Sequence, residues 1–366
     1  WLCHDQYQWQ QNDDKKLGSF LIAREWKTTT RRLRWSGNQN LKSAAWYARE
    51  LIPFFEEMFW QKPTISNVPL HSSGLANASR LEESMNTIDV GIITMKEEEF
   101  TAVLDKLKPD KIDKGKNRDY DIASIHIPGG TCQVAITRCI QQGNSYAQST
   151  ASELWNDLEP NFILVVGIGG GIPTPDFCLG DIVISDHIQD LSLEDTGTSS
   201  AEKRYSTLGG PLHSSASRIV ERIRAIERKD ETWKSPESIG VNRPSFDGEV
   251  TTSNKAWNTD ILKAFRHHRQ RVKPVATAQT IASSDRLIKD PDLINRWRSV
   301  SKGIAAVEME SAGVYVFCQR NDIPVMAIRG ISDIVGWERS EEWTLYACHS
   351  AAAFTRMLIQ SGAFCL

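Results

Sequence analysis

From Thr87 onward, short apolar runs alternate with helix-patterned stretches, and that alternation leaves few architectures open to the chain. Ile88–Thr94 is strand-like, Glu97–Leu107 helical, Cys132–Thr137 alternates as a strand does, and Ser145–Leu158 is helical. Phe162–Val166 is wholly apolar, as a strand buried on both faces requires. Further strands are expected at Asp181–Ser185, Val275–Ile281, Ile304–Glu308 and Pro324–Gly330. Helices are expected at Ser214–Arg228, Thr259–His268, Ser311–Arg320 and Glu341–Ile359. The expected fold is α/β, a three-layer sandwich around a central mixed, mostly parallel sheet.

The chain has 366 residues, enough for one large core and an appendage. Six of its 12 tryptophans fall in the first 60 residues, which marks residues 1–84 as a separate N-terminal region ahead of a domain spanning 85–366. Within it, Leu41, Ala44, Ala45, Ala48, Leu51 and Ile52 follow a helical stripe. That stripe predicts a helix over Asn40–Trp60, capped by Asn40 and kinked at Pro53. Lys62–Ser84 reads as a linker. No chemical motif lies in residues 1–84, so docking, oligomerisation or binding of a regulatory partner is their expected use.

A net charge of −3 argues against a nucleic-acid partner held by phosphate neutralisation. No apolar run approaches the roughly 18 residues of a membrane span, and residues 1–30 lack a charged-then-apolar leader pattern. The seven cysteines, at 3, 132, 139, 178, 318, 348 and 365, form no CxxC pair. That scatter points away from a disulfide framework or a zinc site and toward the cytoplasm.

Four segments carry candidate chemistry. In Ala306-Val307-Glu308-Met309-Glu310-Ser311 a strand ends in two carboxylates, where open α/β sheets bind ligands. A carboxylate there can accept hydrogen bonds from adjacent hydroxyls such as a ribose diol; a solvated turn is the alternative. In Met326–Asp333 a second apolar strand ends in Ser332-Asp333. That pair is either a cap or turn, or a general acid whose pKa is raised by shielding from water. Glu97, Glu98 and Glu99 follow the first strand. All three suit a helix start, while Glu99 could turn inward and polarise a water. Val166–Pro173 is glycine-rich, including Gly169 and Gly170, so backbone could approach a ligand closely. It has no P-loop lysine, and a glycine loop alone is a weak signal.

Together these segments, in order, resemble the nucleoside phosphorylase/nucleosidase superfamily between residues 87 and 361. The methylthioadenosine/S-adenosylhomocysteine nucleosidase branch is the nearest in flavour. Arg329–Met357, with Trp343 and Tyr346, is also similar to superfamily domains attached to immune receptors and antiphage systems. The resemblance implies a purine nucleosidase with a nucleoside phosphorylase-like fold, no cofactor, no metal, and a homo-oligomeric state. Residue by residue, it implies Asp333 as the acid on purine N7, supported by Ser332. It further implies Glu310 on the ribose hydroxyls, Met309 packed on the sugar and Glu308 as the first glutamate of that motif. Glu99 would orient the attacking water, and the backbone of Ile288 would read the adenine edge. Leu287 stands where the family has a stacking phenylalanine.

Two departures refine the expectation. The phosphate-binding positions of the phosphorylases match Val165 and Ile168, neither of which binds an anion, so hydrolysis is favoured over phosphorolysis. Positions of the apolar 5′ pocket carry Lys96 and Gln142, with Arg138 and Arg286 nearby in the motif map. Cations there suit a 5′-phosphate, so an adenine nucleotide of the ATP or AMP kind is the expected small-molecule substrate. Methylthioadenosine/S-adenosylhomocysteine hydrolysis, purine nucleoside phosphorolysis and a non-catalytic nucleotide sensor are the alternatives. A defence effector is the expected setting.

Overall fold

The structure, a computed structural model, describes residues 87–192, 194–195, 204–205 and 208–365. The helix expected at Asn40–Trp60 and the linker at Lys62–Ser84 lie outside the described residues. Strand β1 (Val90–Thr94) is buried at every position, and helix α1 (Glu97–Leu107) follows it directly. β2 (Lys111–Lys114), β3 (Asp119–Ile127) and β4 (Gly130–Arg138) form an antiparallel meander leading to α2 (Asn144–Leu158). β5 (Phe162–Gly171) runs through the expected glycine-rich loop as strand, because both its edges are hydrogen-bonded along that stretch.

Next come β6 (Ile182–Asp190), the two-residue strands β7 (Glu194–Asp195) and β8 (Arg204–Tyr205), and β9 (Leu208–Pro211). Helices α3 (Ser214–Lys229), α4 (Pro236–Ile239) and α5 (Lys255–His268) lead to β10 (Ala276–Ser283). α6 (Pro291–Val300), β11 (Ile304–Glu308), α7 (Ser311–Arg320), β12 (Val325–Ile334) and α8 (Glu341–Gln360) complete the order.

The central sheet runs β11-β10-β6-β12-β5-β1-β4-β3-β2 and is mixed. β12, β5, β1 and β4 are parallel to one another, as are β6, β10 and β11. The two groups meet antiparallel at β12–β6 and again at β5–β11, where Gly170 and Gly171 lie opposite Val307 and Ala306. Strands β5, β12, β6, β10 and β11 therefore close into a ring.

Helices cover both faces. A Cβ on Gly91 would touch Leu154 of α2, and a Cβ on Gly330 would strike the carbonyl of Ala347 in α8 at 2.2 Å. Gly91 aligns with Ile163 and Gly330 with Ile168, five positions apart on β5, so alternation puts α2 and α8 on opposite faces. α1 packs with α8, and α7 with α2. Among the described residues, no helix is long and apolar enough to cross a membrane.

Candidate active site

The residues that converge do so around the glycines of β5. Arg329 lies within β12 with no exposed surface, a position that demands a counter-charge. Its Nη2 donates to Glu308 Oε2 at 2.5 Å and to Ser311 Oγ at 2.8 Å. Glu308 also accepts from the main-chain N–H of Glu310 (3.0 Å) and Ser311 (2.9 Å) and from the Ser311 hydroxyl (3.0 Å). Those bonds fix the turn from β11 into α7 and hold Glu310 at the helix N-cap.

Glu99 sits in the first turn of α1 yet is buried. Its Oε2 accepts from the N–H of Met95 and Lys96, and its Oε1 from the N–H of Ile168 on β5, each at 2.9 Å. A Cβ on Gly167 would lie 2.6 Å from both Arg329 Nη1 and Glu99 Oε1. The glycine is therefore needed because two charged side chains occupy the space above it. The expectation that the glycines serve close approach by a ligand is corrected here for Gly167: protein groups fill that space.

Three carboxylates thus share one guanidinium. Burial opposes the charge of Arg329, but Glu308, Glu310 and Glu99 outweigh it and hold the guanidinium protonated. Glu310 is pushed up to about 7, first by burial and then by the charge of Glu308, with Arg329 partly offsetting both. Glu310 Oε2 accepts from the Met309 N–H at 3.3 Å, and Met309 is half-buried beside it.

Asp333 reaches the same strand from the other edge. A register shift between Ile331 and Asp333 marks a bulge at Ser332, which re-aims the side chains there. The Ser332 hydroxyl donates to Asp333 Oδ1 at 2.7 Å. A Cβ on Gly170 would meet Asp333 Oδ2 at 3.1 Å and Val307 Cγ2 at 3.3 Å. Gly170 is therefore flanked by the acid-bearing strand on one side and by β11 on the other, and a Cβ on Gly169 would crowd the Val307 carbonyl at 3.1 Å. Because β11 runs antiparallel to β5, residues 308–310 travel back from Gly170 toward Gly167. Asp333 is half-buried rather than sealed from water.

The segment after β10 closes another side. The Ser284 N–H donates to the Glu308 carbonyl at 3.0 Å, and Asp285 Oδ1 accepts from the Asn144 N–H at 2.7 Å. Asn144 Oδ1 accepts from Ser283 Oγ (3.0 Å) and the Gly313 N–H (2.8 Å), tying β10, α2 and α7 together. Ile288 is buried, Leu287 is 62% exposed and Arg286 is exposed. The buried Ser284 hydroxyl has no partner among the described residues.

Arg138 ends β4 opposite Thr94, the last residue of the parallel strand β1, and Lys96 follows two residues later as the N-cap of α1. Lys96 is half-buried, Gln142 is exposed, and Arg138 is engaged by Glu97 in an ion pair. Its charge is thus already compensated, which weakens it as an anion ligand. Val165 is fully enclosed in the core and Ile168 nearly so. Sequence reasoning overlooked Arg329, Ser311, Asn144 and Ser284. For Arg329 a signal existed: a cation directly after the apolar run Val325–Ile328, inside a buried strand.

Residues 89–359 match a family model described as the phosphorylase superfamily. The chain belongs to that superfamily. Within it, the chain is 24% identical over 244 residues to the ATP nucleosidase Cap17 of Escherichia coli strain KTE188, covering 65% of this chain and 44% of that protein. It thus spans less than half of that relative. It is also 24% identical over 219 residues to a 5′-methylthioadenosine/S-adenosylhomocysteine nucleosidase of Marinomonas, covering 60% of this chain and 75% of the relative. Futalosine hydrolase of Helicobacter pylori shares the fold, with a TM-score of 0.53 at 15% identity over 75% of this chain and 98% of the hydrolase. As a phosphorylase-superfamily member, the chain carries the superfamily's α/β core with its carboxylates gathered around β5.

Proposed function

We propose that this chain hydrolyses the N-glycosidic bond of an adenine nucleoside or its 5′-phosphorylated form, of the ATP or AMP kind. The observation that carries the reading is the fixed carboxylate of Glu99 beside Arg329, with the Glu308–Glu310 turn on one edge of β5 and Asp333 on the other. The names of the relatives, an ATP nucleosidase and a methylthioadenosine/S-adenosylhomocysteine nucleosidase, support an adenine substrate. The second name keeps methylthioadenosine as the runner-up.

In this reading the bond between C1′ and the base lengthens and its electron pair departs with the base. Ser332 occupies Asp333 Oδ1 as acceptor, which leaves Oδ2 to carry a proton to purine N7. Glu310 accepts hydrogen bonds from the ribose hydroxyls, with Met309 against the sugar. Water attacks C1′ while Glu99, oriented by three N–H donors, takes its proton. Adenine and the free sugar are the products. Apolar Val165 and Ile168 supply no donors for inorganic phosphate, which favours water as the nucleophile. The segment after β10, with Ile288, Leu287 and Arg286, faces the base side of this arrangement. Gly169 and Gly170 line the sugar side. A non-catalytic sensor needs none of these carboxylates held so tightly.

Because Glu310 is pushed up to about 7, its neutral form dominates below that pH and loses acceptor capacity. KM is therefore expected to rise several-fold as pH falls from about 8 to about 6, and Glu310→Gln to abolish that dependence. A flat KM over this range in the parent chain would remove Glu310 from ribose recognition. Lys96 is the cation assigned to the 5′-phosphate, and Lys96→Met should cut the preference for nucleotide over nucleoside by about 10-fold or more. Selectivity unchanged in that variant would return the reading to the methylthioadenosine type. The direct test is chromatographic release of free adenine from a panel of adenine nucleosides and nucleotides. No release from any of them would overturn the proposal. Residues 1–84 are assigned to recruitment or gating of this core, in the cytoplasm, with a homo-oligomeric assembly and a defence role as the setting.

A further inference from the structure

At the amino-terminal edge of the strands, remote from the carboxylates around β5, three donors from distant parts of the chain converge. Asp89 precedes β1, Cys132 lies near the start of β4, and Cys365 follows α8. Their ligand atoms all lie within 4.8 Å of one another. The placement is built by the fold. Asp89 exchanges hydrogen bonds with Gln133: its N–H donates to the Gln133 carbonyl at 2.9 Å, and its Oδ2 accepts the Gln133 N–H at 2.7 Å. Those bonds to Gln133 leave Oδ1 uninvolved. Cys132 has no exposed surface. Cys365 is held by its neighbour Phe364, which is buried edge-on against Phe162 with ring centroids 4.8 Å apart.

The charge environment is one-sided. Among the described residues, the charged group acting on both thiols is Asp89, with no Lys, Arg or His side chain contributing at either. Burial and the charge of Asp89 push both thiols up. The three donors gathered within 4.8 Å make a natural site for a cation, which turns the charge of Asp89 and of the two metal-bound thiolates into an attraction. Two sulfurs and a carboxylate oxygen are the donors that select zinc-class metals over magnesium or calcium. In a tetrahedron with metal–sulfur bonds of about 2.3 Å, ligand sulfurs stand roughly 3.8 Å apart. Only a slight contraction of the present cluster is required.

We propose that Asp89, Cys132 and Cys365 bind a thiophilic divalent cation of the zinc class, with a water in the fourth position. The two thiols release their protons to solvent as the metal–sulfur bonds form, and nothing is oxidised or reduced. The metal clips the segment after α8 to the edge of the sheet, so its effect is on stability.

The test is a titration of the reduced, metal-free full chain with Co²⁺ as a spectroscopic stand-in for zinc. One equivalent is expected to raise a sulfur-to-cobalt charge-transfer band, which added Zn²⁺ removes. Cys365→Ser, at a partly exposed position, should abolish the band, and Asp89→Asn should weaken binding by at least about 10-fold. Cys3→Ser and Cys139→Ser should leave it intact. Zn²⁺ should also raise the melting temperature of the parent chain but not of Cys365→Ser. Absence of the band, its survival in Cys365→Ser, or a Cys132–Cys365 disulfide found by mass spectrometry in the zinc-treated chain would each overturn the proposal. Nucleosidase turnover in Cys365→Ser should match the parent chain, which separates failure of this site from failure of the active-site reading.

Discussion

Asp333→Asn is expected to bind an adenine substrate as tightly as the parent chain while losing about 10²–10⁴-fold in turnover. Asparagine has the shape of aspartate, and its amide oxygen can still accept the Ser332 hydroxyl that now holds Asp333 Oδ1 at 2.7 Å. Nor does it disturb Gly170, whose absent Cβ makes room for Oδ2. What it lacks is a proton that can be handed to N7 when the base departs. Binding therefore separates from chemistry: substrate affinity by calorimetry should stay within a few-fold, while adenine release under single-turnover conditions collapses. Full turnover in the variant would mean that another group is the acid. A loss of affinity equal to the loss of rate would mean that Asp333 anchors the base instead.

Arg329→Met is expected to cost about 3–5 kcal/mol of stability, the usual consequence of leaving buried carboxylates without their partner. Glu308 loses a 2.5 Å ion pair, and Glu99 and Glu310 lose the same attraction at longer range. For a domain of this size the melting temperature should fall by roughly 10 °C. The pH dependence gives the sign. Without the guanidinium the carboxyl groups have folded-state pKa values raised above their unfolded ones. Their stabilising contribution is then fully present at low pH and is lost as pH rises through the folded values. The deficit should therefore shrink toward pH 5 and grow toward pH 8, by differential scanning fluorimetry across that range. A pH-independent deficit would point to lost packing alone. Arg329→Lys, which keeps the charge but not the planar fork, should fall between the two.

Much of the fold is legible in the sequence because its strands are buried on both faces and punctuated by helices of ordinary length. The expected limits of Glu97–Leu107, Ile304–Glu308 and Ser311–Arg320 coincide with the structure. β5 is longer than expected because glycines lower strand propensity, whereas here pairing on both edges overrides it. The edge hairpin of β2 and β3 and the helix Pro291–Val300 went unseen, the first because β2 is short and mostly exposed. The carboxylates were legible since each lies at or within a few residues of the end of an apolar strand. The pairing of Arg329 with them was not, because Glu308 and Glu99 lie 21 and 230 positions earlier in the chain. The ion pair of Arg138, expected near a 5′-phosphate, was hidden for the same reason: Glu97 lies 41 residues away.

The two-residue contact between β5 and β11 sets a ruler for the whole site. Val307 is locked opposite Gly170, and Glu308 and Glu310 are counted off from that point. Asp333 is counted from the same glycine along the other edge. Spacing, more than any single side chain, is therefore what natural variation in this chain has least room to alter: one residue gained or lost after Val307 would carry both glutamates off the positions they now hold.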